Sequence, residues 1–129
     1  MSNNVPEGLR YTKSHEWVKL ESNGNCTIGI TDHAQGMLGD IVFVDLPAVD
    51  KAVAAEEECC TIESVKAATD TYSPIAGTIV EVNTKLESSP NLVNNDPYGD
   101  GWLFRVKPKN ADDINKLMTA EEYKKFEEE

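Results

Sequence analysis

One lysine, Lys66, stands in a pattern that would present its side-chain amine for covalent modification. A segment rich in β-branched residues, Thr61–Val65, precedes it, two alanines follow it, and a second strand-like segment leads to Pro74. This pattern predicts a β-hairpin with the lysine at its tip. Glu63, three residues before the lysine, offers a modifying enzyme a local feature to read. The alternative is a solvated turn lysine, which is the usual role of a surface lysine.

The cysteines and histidines predict no metal site and no disulfide framework. Cys26, Cys59 and Cys60 are odd in number and two are neighbours, which favours a reducing compartment. Because neighbours on a strand point to opposite faces, at most one of Cys59 and Cys60 should belong to the core. His15 and His33 are far apart in the sequence and match no zinc spacing with a cysteine.

The composition restricts the classes of partner. The chain has 129 residues, 40% of them hydrophobic, and a net charge of −11, so nucleic acid and anionic membranes are poor partners. No apolar run is long enough for a membrane span. The N-terminus lacks the features of a signal or transit peptide, which predicts a cytoplasmic protein or one whose targeting segment has been removed.

Short β-like segments separated by turns dominate the chain. A short helix is predicted after Asp32, ended by Gly39, and helices are predicted over Ala111–Met118 and after a capping box at Thr119–Glu122. Residues 127–129 are expected to fray, because three carboxylates oppose the helix dipole there. The predicted strands are Trp17–Leu20, Thr27–Ile30, Ile41–Val44, Cys59–Val65, Asp70–Tyr72, Thr78–Val82 and Trp102–Val106.

Part of the chain repeats after 38 positions. The shift aligns Gly39–Asp45 with Gly77–Asn83, which share Gly-x-Ile-Val-x-Val followed by Asp or Asn, and Thr31–Asp32 with Thr69–Asp70. Two copies do not make a solenoid, so the repeat predicts two β-halves related by approximate two-fold symmetry. A chance match between two glycine-then-strand segments is the alternative.

Taken together, the motifs of this chain resemble those of the H proteins of the glycine cleavage system, a lipoyl-carrying family related to biotinyl and lipoyl domains. The resemblance covers nearly the whole chain, and several motifs in order are more specific than any one of them. The motifs are Ser14–Val18, Gly29–Gln35, Leu38–Pro47, Glu63–Ala67, Tyr72–Gly77, Val82–Asn83 and Asp96–Trp102.

The resemblance implies a mainly β fold, a barrel-sandwich hybrid of two pseudo-symmetric β-halves with the modified lysine on a hairpin and short C-terminal α-helices. It implies a single lipoyl-carrier domain over residues 1–129, with an N-terminal extension of about residues 1–8 and C-terminal helices at about residues 111–129.

The resemblance also implies that lipoate is attached covalently to Lys66 and that the protein is a carrier, not an enzyme. The arm would take an aminomethyl group from a pyridoxal-phosphate glycine decarboxylase to a tetrahydrofolate-dependent aminomethyltransferase, and dihydrolipoyl dehydrogenase would reoxidise it. A lipoate ligase or lipoyl transferase would attach the arm. A monomer is expected.

Three further roles are implied by the same resemblance. Glu63 would take part in recognition for lipoylation, and Glu16 and His33 in docking of the arm. The alternatives are an ordinary surface carboxylate for Glu16 and a helix-turn residue for His33. Met37 departs from the histidine that some members carry in the docking region, and Cys59 and Cys60 are not family requirements.

Three rival readings remain to be separated. Biotin carrier domains flank the lysine with methionines, whereas Val65 and Ala67 stand here. Lipoyl domains of 2-oxo acid dehydrogenases usually have Asp before the lysine and an Ala/Pro-rich linker, and this chain has neither. An H-like protein serving lipoate transfer or regulation stays open.

Overall fold

The computed structural model describes residues 5–128, with the side chains of residues 5–126. The expected fraying of residues 127–129 therefore lies outside the described side chains, as do the first four residues of the expected N-terminal extension. None of the helices in the described range is long and apolar enough to cross a membrane.

Nine strands and a few short helices make up the described chain. The strands are β1 (Arg10–Tyr11), β2 (Glu16–Leu20), β3 (Cys26–Ile30), β4 (Ile41–Asp45), β5 (Ala52–Val53), β6 (Glu58–Ser64), β7 (Ala68–Tyr72), β8 (Gly77–Val82) and β9 (Phe104–Pro108). The helices are α1 (Asp32–Leu38), α2 (Lys85–Ser88), α3 (Leu92–Asn95) and α4 (Ala120–Glu128), with a 3-10 helix at Ala111–Lys116.

The strands form two antiparallel sheets, which confirms the prediction of a mainly β fold. One sheet has six strands in the order β1-β2-β3-β9-β8-β5, and the other has three in the order β4-β6-β7. Ile28 and Ile79 from the first sheet and Val44 and Ile62 from the second belong to one buried cluster. The main core therefore lies between the sheets, where burial of this apolar surface stabilises both.

The predicted repeat is visible in the backbone of the two sheets. The pairing of β4 with β6 shifts register between Ile41 and Phe43, and the pairing of β8 with β9 shifts between Ile79 and Glu81. These irregularities stand 38 positions apart, so the pairing is interrupted at the same place in both copies of the repeat.

The flanking part of the repeat prediction is wrong. Thr31 caps α1, with its side chain accepting a hydrogen bond from the Ala34 N–H. Thr69 and Asp70, by contrast, lie within β7. A capping threonine and a strand threonine are structurally different, although both suit that residue type.

The C-terminal helices are partly as predicted. Thr119 Oγ1 accepts a hydrogen bond from the Glu122 N–H at 3.3 Å, and Glu122 Oε1 accepts one from the Thr119 N–H at 2.9 Å, which confirms the capping box of α4. The helix predicted over Ala111–Met118 is a 3-10 helix that ends at Lys116. It cannot continue, because Met118 forms a β-bridge with Tyr11.

Candidate functional site

Lys66 lies in the turn between β6 and β7, and Ser64 fixes that turn. Ser64 Oγ is 3.2 Å from the backbone nitrogens of Lys66 and Ala67, which donate to it, and the Ser64 N–H donates to the Ala67 carbonyl at 2.9 Å. The Val65 N–H donates to the Asp40 carbonyl at 2.9 Å, which ties the turn to the segment before β4. The lysine backbone is therefore held, while its side chain is exposed.

The Lys66 side chain runs over Gly39, at the end of α1. A Cβ placed on Gly39 would lie 3.3 Å from Lys66 Cε and 3.7 Å from Nζ, and Gly39 has a φ of 78° and a ψ of −154°, a conformation nearly restricted to glycine. The glycine thus leaves a shallow cradle for the lysine stem. An exposed primary amine on a fixed turn, with open space beside it, fits a group attached through an amide.

Glu63 lies on β6, paired with Ala68 across the hairpin and with Phe43 on β4. Its side chain is exposed and three residues from the lysine. A protein that approaches Lys66 can therefore meet this carboxylate as well.

Glu16 is buried, with 2% of its surface exposed, so the alternative of an ordinary surface carboxylate is wrong. Its Oε1 accepts hydrogen bonds at 2.6 Å from the hydroxyls of Thr12 and Ser14, and its Oε2 accepts a longer one, 3.4 Å, from the Tyr72 N–H. Burial raises the pKa of this carboxyl, and the hydrogen bonds from Ser14, Thr12 and Tyr72 partly oppose that rise.

The Glu16 carboxylate lines a groove of about 610 Å³. The groove is lined by both polar and apolar side chains, and a buried carboxylate at such a place can pair with a cationic ligand. Its lining residues are Tyr11, Thr12, Lys13, Ser14, Glu16, Glu56, Tyr72, Ser73, Pro74, Lys116, Leu117 and Met118.

His33 lies in the first turn of α1, and its ring is 4.7 Å from that of His15, centroid to centroid. His15 Nδ1 is 2.7 Å from the Tyr123 hydroxyl, and Thr31 Oγ1 is 2.8 Å from the same hydroxyl. Burial first, and the charge of His33 second, lower the pKa of His15. Sequence reasoning missed His15 and Tyr123, because only the fold brings them together.

Lys66 and Glu16 do not touch; two elements connect them. The lysine stem lies at the C-terminal end of α1, whereas His33 lies at the N-terminal end. Tyr72, whose N–H donates to Glu16, ends β7, the strand that follows the turn of Lys66 and is about 13 Å long. Thus α1 and β7 both run from the lysine towards the residues expected to dock the arm.

The remaining candidates have simple surroundings. Cys60 is buried and Cys59 half-buried, which confirms that at most one of the pair belongs to the core. Burial raises the pKa of Cys59 to about 12 and of Cys26 to about 11, so neither thiol is activated.

Met37 is 53% exposed. Across residues 5–126, no group of three or more His, Cys, Asp or Glu side chains is arranged to hold a metal ion.

Comparison with known proteins gives a consistent match over nearly the whole chain. A family model described as glycine cleavage H-protein matches residues 9–129. The glycine cleavage system H protein of Neisseria meningitidis serogroup B is 57% identical over 123 residues, which cover 95% of this chain and 96% of that protein. The H protein of a Psychrobacter species is 55% identical over 120 residues, covering 93% and 95%.

The fold gives the same match. The crystal structure of a glycine cleavage system H protein from Mycobacterium marinum aligns with a TM-score of 0.85 at 41% identity, covering 92% of this chain and 95% of that one. The two-sheet arrangement described above is therefore shared with a solved structure.

Proposed function

Because the chain belongs to the glycine cleavage H-protein family, we propose that it carries lipoate on Lys66. In this role it takes an aminomethyl group from glycine decarboxylase to the tetrahydrofolate-dependent aminomethyltransferase. The chain is a carrier and not an enzyme, as the family is. Dihydrolipoyl dehydrogenase and a lipoate ligase or lipoyl transferase complete the proposed set of partners.

The proposal is supported above all by one observation: the fold exposes the side-chain amine of Lys66 on a fixed turn. Ser64 fixes the turn, Gly39 leaves room for the stem, and Lys66 Nζ is open to a modifying enzyme. In the attachment, the neutral amine attacks the carboxyl carbon of activated lipoate, a C–N bond forms, the activating group leaves, and the nitrogen loses a proton. The lysine charge is lost with it.

The lipoyl group, when attached, supplies a dithiol–disulfide pair that can take up a one-carbon amine and be reoxidised. The chain's own residues supply the rest. Glu16 offers a buried carboxylate to a cationic amine, with its oxygens oriented by Thr12 and Ser14. The groove beside this carboxylate has room for such an amine. His33, whose ring lies 4.7 Å from that of His15, would meet the arm at the N-terminal end of α1.

We further propose that residues 1–129 act as one lipoyl-carrier domain and that it works as a monomer. Support comes from the two ends of the described chain, which meet: Arg10 Nη1 donates to the Leu117 carbonyl at 3.1 Å, and Tyr11 stacks on Tyr123. The cytoplasm is the proposed compartment, in keeping with the bacterial sources of the relatives and three free cysteines.

Lys66→Arg tests the attachment site. Co-expression with a lipoate ligase, with lipoate supplied, should add one lipoyl mass to the unmutated chain and none to the variant, because arginine keeps the charge but not the nucleophilic amine. Intact-mass spectrometry makes the measurement, with Lys109→Arg as the matched control, since Lys109 is an exposed lysine outside the hairpin. Modification that persists in Lys66→Arg would remove Lys66 from the proposal.

Glycine turnover needs its own test. The lipoylated chain, mixed with glycine decarboxylase, should support exchange of the glycine carboxyl carbon with bicarbonate. Exchange no greater than with the unmodified chain would favour the alternative role in lipoate transfer or regulation.

A further inference from the structure

Large apolar side chains are exposed around Lys66. In the described part of the chain six large hydrophobic residues are prominently exposed, and four of them lie in or beside the segments that hold the lysine. These four are Met37 at 53%, Val42 at 55%, Phe43 at 48% and Val65 at 67%. We call them the lysine patch.

Backbone hydrogen bonds and strand pairing bring the members of the lysine patch towards the lysine. Val65 precedes Lys66, and its N–H donates to the Asp40 carbonyl, just before β4. Phe43 on β4 pairs with Glu63 on β6. Met37 precedes Gly39, over which the lysine stem runs, by two residues.

The register shift in β4 explains why two of these residues are exposed together. A regular strand would turn Val42 and Phe43 to opposite faces, whereas the shift between Ile41 and Phe43 leaves both in solvent. At the equivalent place in β8 stand Val80, half-buried, and Glu81, which is paired with Arg105 at 2.8 Å. Of the two related sites, the one beside the lysine is therefore apolar and open.

Acidic side chains lie next to the lysine patch. Asp40, Asp45 and Glu63 are exposed in the same segments, and the chain has a net charge of −11. A partner that covers the patch must therefore offer an apolar surface bordered by lysine and arginine side chains.

We propose that the lysine patch is the docking surface for the enzyme that attaches the lipoyl group, a lipoate ligase or lipoyl transferase with an apolar, basic-rimmed face. This inference rests on the proposed function, because it takes Lys66 as the acceptor. The attaching enzyme must bring its reacting carbon to Nζ itself, so it has to contact the residues around the base of the lysine. Enzymes that act on the far end of an attached arm do not need to contact these residues.

The first experiment measures attachment. Phe43→Ser and Val65→Ser, singly and together, are compared with Leu20→Ser, a residue of the other sheet that is 56% exposed. With a lipoate ligase, lipoate and ATP, kcat/KM for modification should fall about tenfold in the double variant, as for loss of central apolar anchors from an interface. Leu20→Ser should match the unmutated chain. Thermal unfolding checks that each variant is folded.

The second experiment measures binding without attachment. Lys66→Arg chains, with and without the patch substitutions, are titrated with the same ligase charged with lipoate and ATP. We expect weaker binding when the patch is changed, and not when Lys66 alone is changed. Binding reports on the patch, whereas loss of modification in Lys66→Arg reports on the acceptor. The proposed function and the docking surface can therefore fail separately.

Two results would overturn the docking surface. One is binding or modification of the Phe43→Ser, Val65→Ser double variant equal to that of Leu20→Ser. The other is a dimer of the free chain, seen by analytical ultracentrifugation, that the double variant abolishes, since the patch would then cover a second copy.

Discussion

At the scale of single residues, Glu16 has an unusual environment for a carboxylate. It is 2% exposed, yet no lysine or arginine is among the groups hydrogen-bonded to it, which are two hydroxyls and one backbone N–H. Such a site favours the neutral acid, and a cation entering the groove would reverse that preference. The residue is thus better suited to meeting a cationic ligand than to stabilising the free protein.

We predict that Glu16→Gln becomes more stable relative to the unmutated chain as pH rises. The folded pKa of Glu16 is raised above its ordinary value of 4.5, so the fold loses stability as pH rises from there through the folded pKa. Glutamine has no such ionisation. Unfolding free energies measured between about pH 4 and pH 7 should show the difference growing in favour of the variant. A difference that does not change with pH would contradict the raised pKa.

Gly39→Ala should affect both stability and modification. The backbone conformation at Gly39 should make alanine cost about 1–3 kcal/mol of unfolding free energy. The new Cβ would also lie 3.3 Å from Lys66 Cε, which should slow lipoylation. Gly24→Ala is the matched control, since Gly24 has a φ of 89° and nothing within 4 Å of the added carbon. Equal modification rates in the two variants would show that the cradle has no effect.

A feature of the site can be predicted from the sequence when it depends on neighbouring residues, and not when it depends on residues that only the fold brings near. The hairpin that holds Lys66 is predicted, because its strands and turn depend on residues that are neighbours in the sequence. The burial of Glu16 is not predicted, because one of the three hydrogen-bond donors to its carboxylate is Tyr72, on a strand 56 residues away. Gly39 is predicted as a helix end, but its contact with the lysine stem depends on how α1 packs beside the hairpin.

At the scale of elements, α4 fastens the N-terminal segment to α1. The Tyr123 hydroxyl is within hydrogen-bonding distance of His15 Nδ1 and Thr31 Oγ1, and the Tyr123 ring stacks on Tyr11 with a centroid distance of 4.8 Å. The helix α4 therefore contacts both the loop before Glu16 and the residue that caps α1.

Tyr123→Phe should lower the unfolding free energy by about 1–3 kcal/mol, because it keeps the ring but removes the hydroxyl that lies within hydrogen-bonding distance of His15 Nδ1 and Thr31 Oγ1. Denaturant unfolding measures the change. Phe126→Leu serves as the comparison, since Phe126 is half-buried on the same helix and should cost less. A Tyr123→Phe variant as stable as the unmutated chain would mean that water replaces the hydroxyl.

The elements also differ in how well sequence predicts them. The longer strands and α4 follow from alternation and from the capping box. The four-residue helices α2 and α3 were not predicted, because one turn is too short to show a helical period. The 3-10 helix was misassigned since its end is set by the bridge from Met118 to Tyr11, a contact distant in sequence.

At the scale of the whole molecule, the excess of negative charge destabilises the compact folded state. With 23 acidic and 12 basic residues, the folded chain repels itself more than the unfolded one does. We predict that the melting temperature rises by a few degrees between about 0.02 M and about 0.5 M sodium chloride, because salt screens this repulsion. A variant with Glu127, Glu128 and Glu129 changed to glutamine should show a smaller rise. A fall with salt would mean that the ion pairs, such as Glu81 with Arg105, outweigh the repulsion.

The paired irregularities in β4 and β8 affect which surface each sheet offers to a partner. The register shifts at residues 41–43 and 79–81 stand at the same place in the two copies of the repeat. In β8 that place holds Val80, which is half-buried, and Glu81, which is paired with Arg105. In β4 it holds Val42 and Phe43, both exposed. The same backbone irregularity therefore gives a polar, ion-paired surface in one half of the molecule and an adhesive one in the half that bears the lysine.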